Sequence, residues 1–270
     1  MEQTILDEIL RAAPAFLLIA ARALAMIETA PLLSSDANPQ VVRIALAGFA
    51  AYMAFPTALV REWEIPPFGL SFVFLVIGEG IIGIIIGFFM TIIFSAFSTA
   101  GQFFSLQMGF GASETFDPLS QIENPLMGQY LNLVAMLVFL SLGGFGELFL
   151  GGFWRSIQSV SVMSLVAGRE AVLGMLLAGL SRLFLDAMVI SMPILGTLFL
   201  TTLSTGLISK AAPQINILTE GFPISITIAF ILLLVTMPFM VEAFSRVVES
   251  GFGVIETLYT RIGAPIGSTT

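Results

Sequence analysis

Cysteine and histidine occur nowhere in the 270 residues. Their absence removes thiolate nucleophiles, disulfides, the commonest zinc and haem ligands and the usual general base. Most catalytic schemes go with them, so no catalytic residue, metal or cofactor is expected. Charge is scarce as well: 10% of residues are charged, against roughly 25% in soluble domains. Lysine is reduced to Lys210, and 10 basic residues face 18 acidic ones, for a net charge of −8. So little positive charge excludes nucleic acid as a partner. Between Arg61 and Arg155 basic residues vanish altogether, while Glu62, Glu64, Glu79, Glu114, Asp117, Glu123 and Glu147 remain. Cytoplasmic loops carry an excess of Lys and Arg, so the stretch around 105–125 is expected to face the other side or to lie buried in protein.

What fills the chain is apolar: 57% hydrophobic residues, 25 of them Phe, and a mean hydropathy of +1.01. That is an integral membrane protein or part of a membrane-embedded assembly. The amino terminus bears Glu2, Asp7 and Glu8 where a signal peptide would be positive, so the first hydrophobic segment is expected to be retained. Apolar runs lie near 12–33, 41–60, 66–104, 126–153, 171–208 and 224–241. About 20 helical residues cross a hydrocarbon core of about 30 Å. The runs at 66–104 and 171–208 are nearly twice that length, so each is either two helices broken at glycines or one helix rising beyond the bilayer. The expectation is all-α, with six to eight helices in hydrophobic hairpins. The last stretch places Val248, Phe252, Ile255, Tyr259 and Ile262 at helical three-and-four spacing, the face of a packed terminal helix or of a partner dock.

Several patterns compete with bland explanations. "GEGIIG" (78–83) fits a dinucleotide fingerprint, but that motif needs a strand before it, and here it lies inside an apolar run. "GIIIG" (83–87) fits close packing of membrane helices. Glu79 is alone in its run; a carboxylate at membrane depth must pair, protonate or meet water, which makes it a functional candidate. Arg182 and Asp186, like Glu242 and Arg246, stand four apart and compensate each other on one helix face. Arg169 and Glu170 read as a turn. Arg22 and Arg43 have no close local partner and must find one on another helix or at an interface. Two polar interruptions stand out. "QMGFGASETFDPLSQIENP" (107–125) is Gly- and acid-rich, a surface loop or an irregular segment enclosed by protein or water. "SKAAPQINILTEGFPISI" (209–226) brackets polar residues with Pro213 and Pro223, which read as helix boundaries around a reversal.

"STAGQFFSLQMGFG" (98–111), "FDPLSQIENP" (116–125) and "APQINILTEGFP" (212–223), with "APLL" (30–33) before them, resemble the FliR family of the flagellar type III export gate. The resemblance covers almost the whole chain as one FliR-like domain, 1–270. It implies a FliP-like part at roughly 1–208, with a plug loop at 105–125, and a FliQ-like hairpin part at roughly 171–262. It further implies a non-enzymatic inner-membrane subunit of the flagellar basal body that forms with FliP and FliQ a gated conduit for unfolded flagellar proteins, with FlhB at the cytoplasmic entrance. Virulence-secretion relatives share this architecture, and a proton-coupled solute transporter using Glu79 and Asp186 is the alternative from another class. On the family pattern, Gly109, Phe110, Gly111, Phe116, Asp117 and Pro118 would form the plug. Lys210, Pro213, Gln214, Asn216, Gly221, Phe222 and Pro223 would form the hairpin motif. The match departs at Ala112 and Thr115, where members carry bulky apolar residues.

Overall fold

The computed structural model describes residues 2–35, 38–60, 69–109, 126–211 and 217–263. Among these there is no strand. The helices are α1 (Glu2–Thr29), α2 (Gln40–Val60), α3 (Leu70–Met108), α4 (Leu126–Ser141), α5 (Gly144–Gly146), a π-helical segment (Glu147–Trp154), α6 (Arg155–Ser159), α7 (Val162–Ala167), α8 (Arg169–Ala211) and α9 (Ile217–Gly263). Three of them, α3, α8 and α9, are long and apolar enough to cross a membrane; the broken pair Leu126–Ser141 and Gly144–Ser159 would make a fourth span. The protein is all-α, as its composition predicts.

The glycines of the longest runs do not break them. α3 is one helix of 39 residues and α8 one of 43, about 58 and 64 Å long at 1.5 Å per residue. Gly83 and Gly87 serve contact instead. A Cβ on Gly83 would strike the backbone of Arg22 and Met26, and one on Gly87 would strike Thr29. α1 therefore lies directly against α3, and Thr91 Oγ1 donates to the Thr29 carbonyl at 2.9 Å. The "GIIIG" pattern marks this close approach, as membrane-helix packing requires.

The chain divides into two compact units. The first comprises Met1–Ile92, Gly143–Gly179 and Glu249–Thr270; the second comprises Ile93–Leu142 and Leu180–Val248. In the first, α1 and α2 form a hairpin whose connection is held by Arg43: its guanidinium donates to Glu28 at 2.8 Å and to the Ser34 and Ser35 carbonyls at 3.0 and 2.7 Å. The arginines without local partners thus find them inside the chain, and do not by themselves demand a neighbouring subunit. In the second unit, Gly101 of α3 packs on Met127 and Gly128 of α4; a Cβ there would come within 2.8 Å of the Gly128 Cα. Phe94, Phe97, Phe139 and Phe244 stack edge to face across α3, α4 and α9, with centroids 4.7 to 5.6 Å apart.

Two boundaries differ from expectation. Pro223 is the seventh residue of α9 and is not a boundary. A proline there gives up its i→i−4 hydrogen bond, a cost that the long apolar helix running on to Gly263 absorbs. Arg169 and Glu170 form the first turn of α8 and not a separate turn, because α7 ends at Gly168, leaving Arg169 free to begin a new helix. The terminal apolar stripe is a packed helix face: Val248, Ile255, Tyr259 and Ile262 are buried.

Candidate functional site

The polar chemistry of the first unit converges on Arg22. Its side chain is fully buried, as is that of Glu79 but for 5%. Arg22 Nε donates to Glu79 Oε2 at 2.6 Å, and Nη2 approaches the same oxygen at 2.5 Å. Nη1 donates to Ser156 Oγ and Nη2 to the Val160 carbonyl, both at 3.0 Å. The guanidinium therefore joins α1 and α3 to α6 and to the break that follows it. Val160 is extended there, with φ −115° and ψ 123°, so its carbonyl leaves the helix ladder and points to the arginine. α7 restarts at once through a capping box in which Ser161 and Ser164 each accept the other's backbone N–H.

The neighbouring π-helical segment supplies the rest. Widening a helix shifts its carbonyls away from their i+4 donors, and here side chains donate to two of them, one of which, Gly152, also accepts from the Arg155 backbone N–H. Ser156 Oγ donates to the Phe153 carbonyl at 2.6 Å, and the Tyr259 hydroxyl donates to the Gly152 carbonyl at 2.7 Å. Tyr259 also lies beside Ser156 and within electrostatic reach of Arg22. A residue of the last helix thus completes a network begun in the first. Tyr259→Phe removes one buried hydrogen bond from the Gly152 carbonyl, which the Arg155 backbone N–H still meets, so a loss of about 0.5–1.5 kcal/mol is expected; the thermal midpoint of the purified chain in detergent measures it, and an unchanged midpoint would show the bond to be idle.

Glu79 is thus occupied by a partner and not an open carboxylate. Of the other charges singled out in the sequence, Arg182 and Asp186 pair at 3.7 Å on α8, but with side chains 60% and 20% exposed, so they are not a buried pair within this chain. Lys210 ends α8 and is exposed, and Gly221, Phe222 and Pro223 lie in the first turns of α9. Gly109 ends α3 in the left-handed region, φ 92°, which a glycine adopts without strain. Phe110, Gly111, Phe116, Asp117 and Pro118, like Pro213, Gln214 and Asn216, lie outside the described residues. Sequence reasoning missed Ser156 and the role of Tyr259. The signal was there for the latter: a hydroxyl in an otherwise apolar buried stripe needs a hydrogen-bond partner.

Apolar helical hairpins whose buried charges neutralise one another within the fold define a helical membrane protein. The family model described as bacterial export proteins, family 1, matches residues 13–251, and the chain belongs to that family. Among its relatives is the flagellar biosynthetic protein FliR of Bacillus subtilis (strain 168), 31% identical over 229 residues that cover 83% of this chain and 86% of the relative. The FliR of Escherichia coli (strain K12) is 31% identical over 223 residues, 80% and 82% of the two chains. That of Borreliella burgdorferi is 35% identical over 181 residues, 67% of each. Arg22, Glu79, Ser156 and Val160 fall within the family match; Tyr259 lies beyond its end.

Proposed function

We propose that the chain is a non-enzymatic subunit of the flagellar protein export apparatus, assembling with FliP and FliQ in the inner membrane, at the flagellar basal body, into a conduit for unfolded flagellar proteins. In this reading FlhB lies at the cytoplasmic entrance, residues 1–208 act as the FliP-like part and 171–262 as the FliQ-like hairpin. Membership of the export family over residues 13–251 is the observation that carries it. The relatives' names favour the flagellar over a virulence system. Exposed apolar faces fit the reading too: Phe49 and Tyr52 on α2, and Val73, Phe74, Ile77 and Ile81 on α3, are more than two-fifths exposed in the single chain. Patches of that kind mark interfaces. A proton-coupled transporter is disfavoured by Glu79, whose oxygen is held by Arg22 at 2.5 to 2.6 Å in a site shut off from solvent.

Residues 109–118 would be the plug, Phe110 and Phe116 sealing the closed lumen and the glycines letting the loop move aside. The test is deletion of 110–116 in cells that also make FliP and FliQ. Copurification with both should persist, while the membrane becomes leaky to small ions. A chain that never copurifies with them would overturn the assembly reading; an assembled but tight deletion variant would place the seal elsewhere.

A further inference from the structure

We infer that Glu147–Trp154 is a register switch: its π geometry stores one spare residue, and the end of α9, from Glu249 to Gly263, is the strap that keeps it there. The inference is independent of the export role, and every group in it belongs to the first unit. The Arg155 backbone N–H reaches back to the Leu150 carbonyl, five residues away and not four, which is the π hydrogen bond. One residue is thus held in excess of an α-helix. Chains adopt α geometry as a rule and π geometry rarely, so the widened form needs compensation. Two side chains supply it. Ser156 Oγ donates to the Phe153 carbonyl at 2.6 Å, and the Tyr259 hydroxyl donates to the Gly152 carbonyl at 2.7 Å.

The spare residue also has somewhere to go. α6 is five residues long and ends at Val160, which is already extended. If the π segment closes to an α-helix, the excess passes along α6 to that break, and α6 turns by about 100°, the angle of one residue. Each side chain then takes the place of the residue after it. Ile157, 1% exposed, moves to the exposed place of Gln158, and Arg155 moves to the buried place of Ser156, beside Arg22. Lost burial and a second buried positive charge hold that state down, and the strap adds two restraints three residues apart. Tyr259 occupies the Gly152 carbonyl, and Glu256 pairs with Arg155 and keeps it outside. The strap itself is releasable. Its outer face exposes Glu249, Glu256 and Arg261. Beneath it an apolar cavity of about 20 Å³ remains between Ile255, Leu258 and Ile262 and a wall that includes Ile86 and Val160, short of the close packing of an interior. Whatever lifts the end of α9 therefore frees the register of α6, and with it the bond from Arg22 to Ser156.

The chain lacks cysteine, so register can be read by thiol exposure in the full-length protein purified in detergent. Single cysteines at Leu148, Ser156, Ile157 and Gln158 are treated with a water-soluble maleimide, first with the strap intact and then with Tyr259→Phe, alone and together with Glu256→Gln. With the strap intact, only Gln158→Cys should react readily. Tyr259→Phe should speed the reaction of Ile157→Cys about two- to tenfold, the factor that one net hydrogen bond carries, and adding Glu256→Gln should raise it further. Ser156→Cys should stay protected, because it takes the buried place of Ile157, as should Leu148→Cys, which lies ahead of the Leu150–Arg155 bond. Equal gains at positions 156 and 157 would mean simple loosening and would overturn the inference; so would no gain at 157. Deleting Gly151 removes the spare residue without moving α6, so in that chain Tyr259→Phe should leave Ile157→Cys protected. A gain equal to that of the undeleted chain would overturn the inference, and so would a deletion chain that no longer folds, since the segment would then hold nothing in excess.

Discussion

Glu79→Ala is expected to destabilise the chain by about 3–5 kcal/mol, the largest single effect among its charged residues, because it leaves the Arg22 guanidinium buried and uncompensated. Arg22→Ala should do comparable harm, removing the counter-ion of Glu79 and the side-chain donor to the Val160 carbonyl. Replacing both, Arg22→Met with Glu79→Leu, should recover much of the loss, since a buried ion pair exchanged for apolar packing is often close to neutral. Recovery will be partial: the Val160 carbonyl stays without that side-chain donor, at about 1–3 kcal/mol. The thermal midpoint in detergent and the amount of chain in membranes measure all three variants. A double variant as damaged as Glu79→Ala would mean that the two groups are not coupled.

Gly83→Val should separate α1 from α3. Its Cβ would strike the Arg22 carbonyl and come within 3.0 Å of Ala25 Cβ and the Met26 backbone nitrogen. Backbone on both sides cannot yield, so the loss should reach or exceed about 3 kcal/mol, the upper end for overpacking, and it should weaken the Arg22–Glu79 contact one turn away. Gly80→Ala is the matched control: nothing lies within 4 Å of its added methyl, and in a helix interior the exchange should gain about 0.5–1 kcal/mol. The same readouts apply. Equal responses from the two glycines would show that the helix contact at Gly83 is not what sets the stability.

Much of this fold was legible because its signals are local or compositional. Apolar runs of the right length announced the helices, and the spacing of Gly83 and Gly87 announced a close helix contact, though not that α1 would make it. The i,i+4 pairs followed from helix geometry. What the sequence did not reveal was non-local or conformational. Arg22 and Glu79 are 57 residues apart and Arg22 and Ser156 are 134 apart; no periodicity links them, and only the need of each charge for a partner hinted at the pairing. Nor does any residue type announce that Glu147–Trp154 will widen into π geometry. Pro223 misled because a proline usually marks a boundary, yet the long apolar helix around it runs on regardless. The burial of Arg182 depends on what surrounds α8, which the chain's own residues do not encode.

The span of the Arg22 network sets a timetable for biogenesis. A ribosome adds roughly 5–20 residues per second, so Arg22 exists for about 3–11 s before Glu79 is made, 57 residues later, and for roughly 7–27 s before Ser156 follows, 134 residues on. A buried charge without its counter-ion is costly, so α1 cannot settle into its packed place until α3 arrives with Glu79. The tyrosine that fastens the π-helical segment comes 107 residues after the carbonyl it holds. The last helix to be synthesised therefore closes the unit that the first one opens, and a chain truncated before Tyr259 should insert but stay loosely joined.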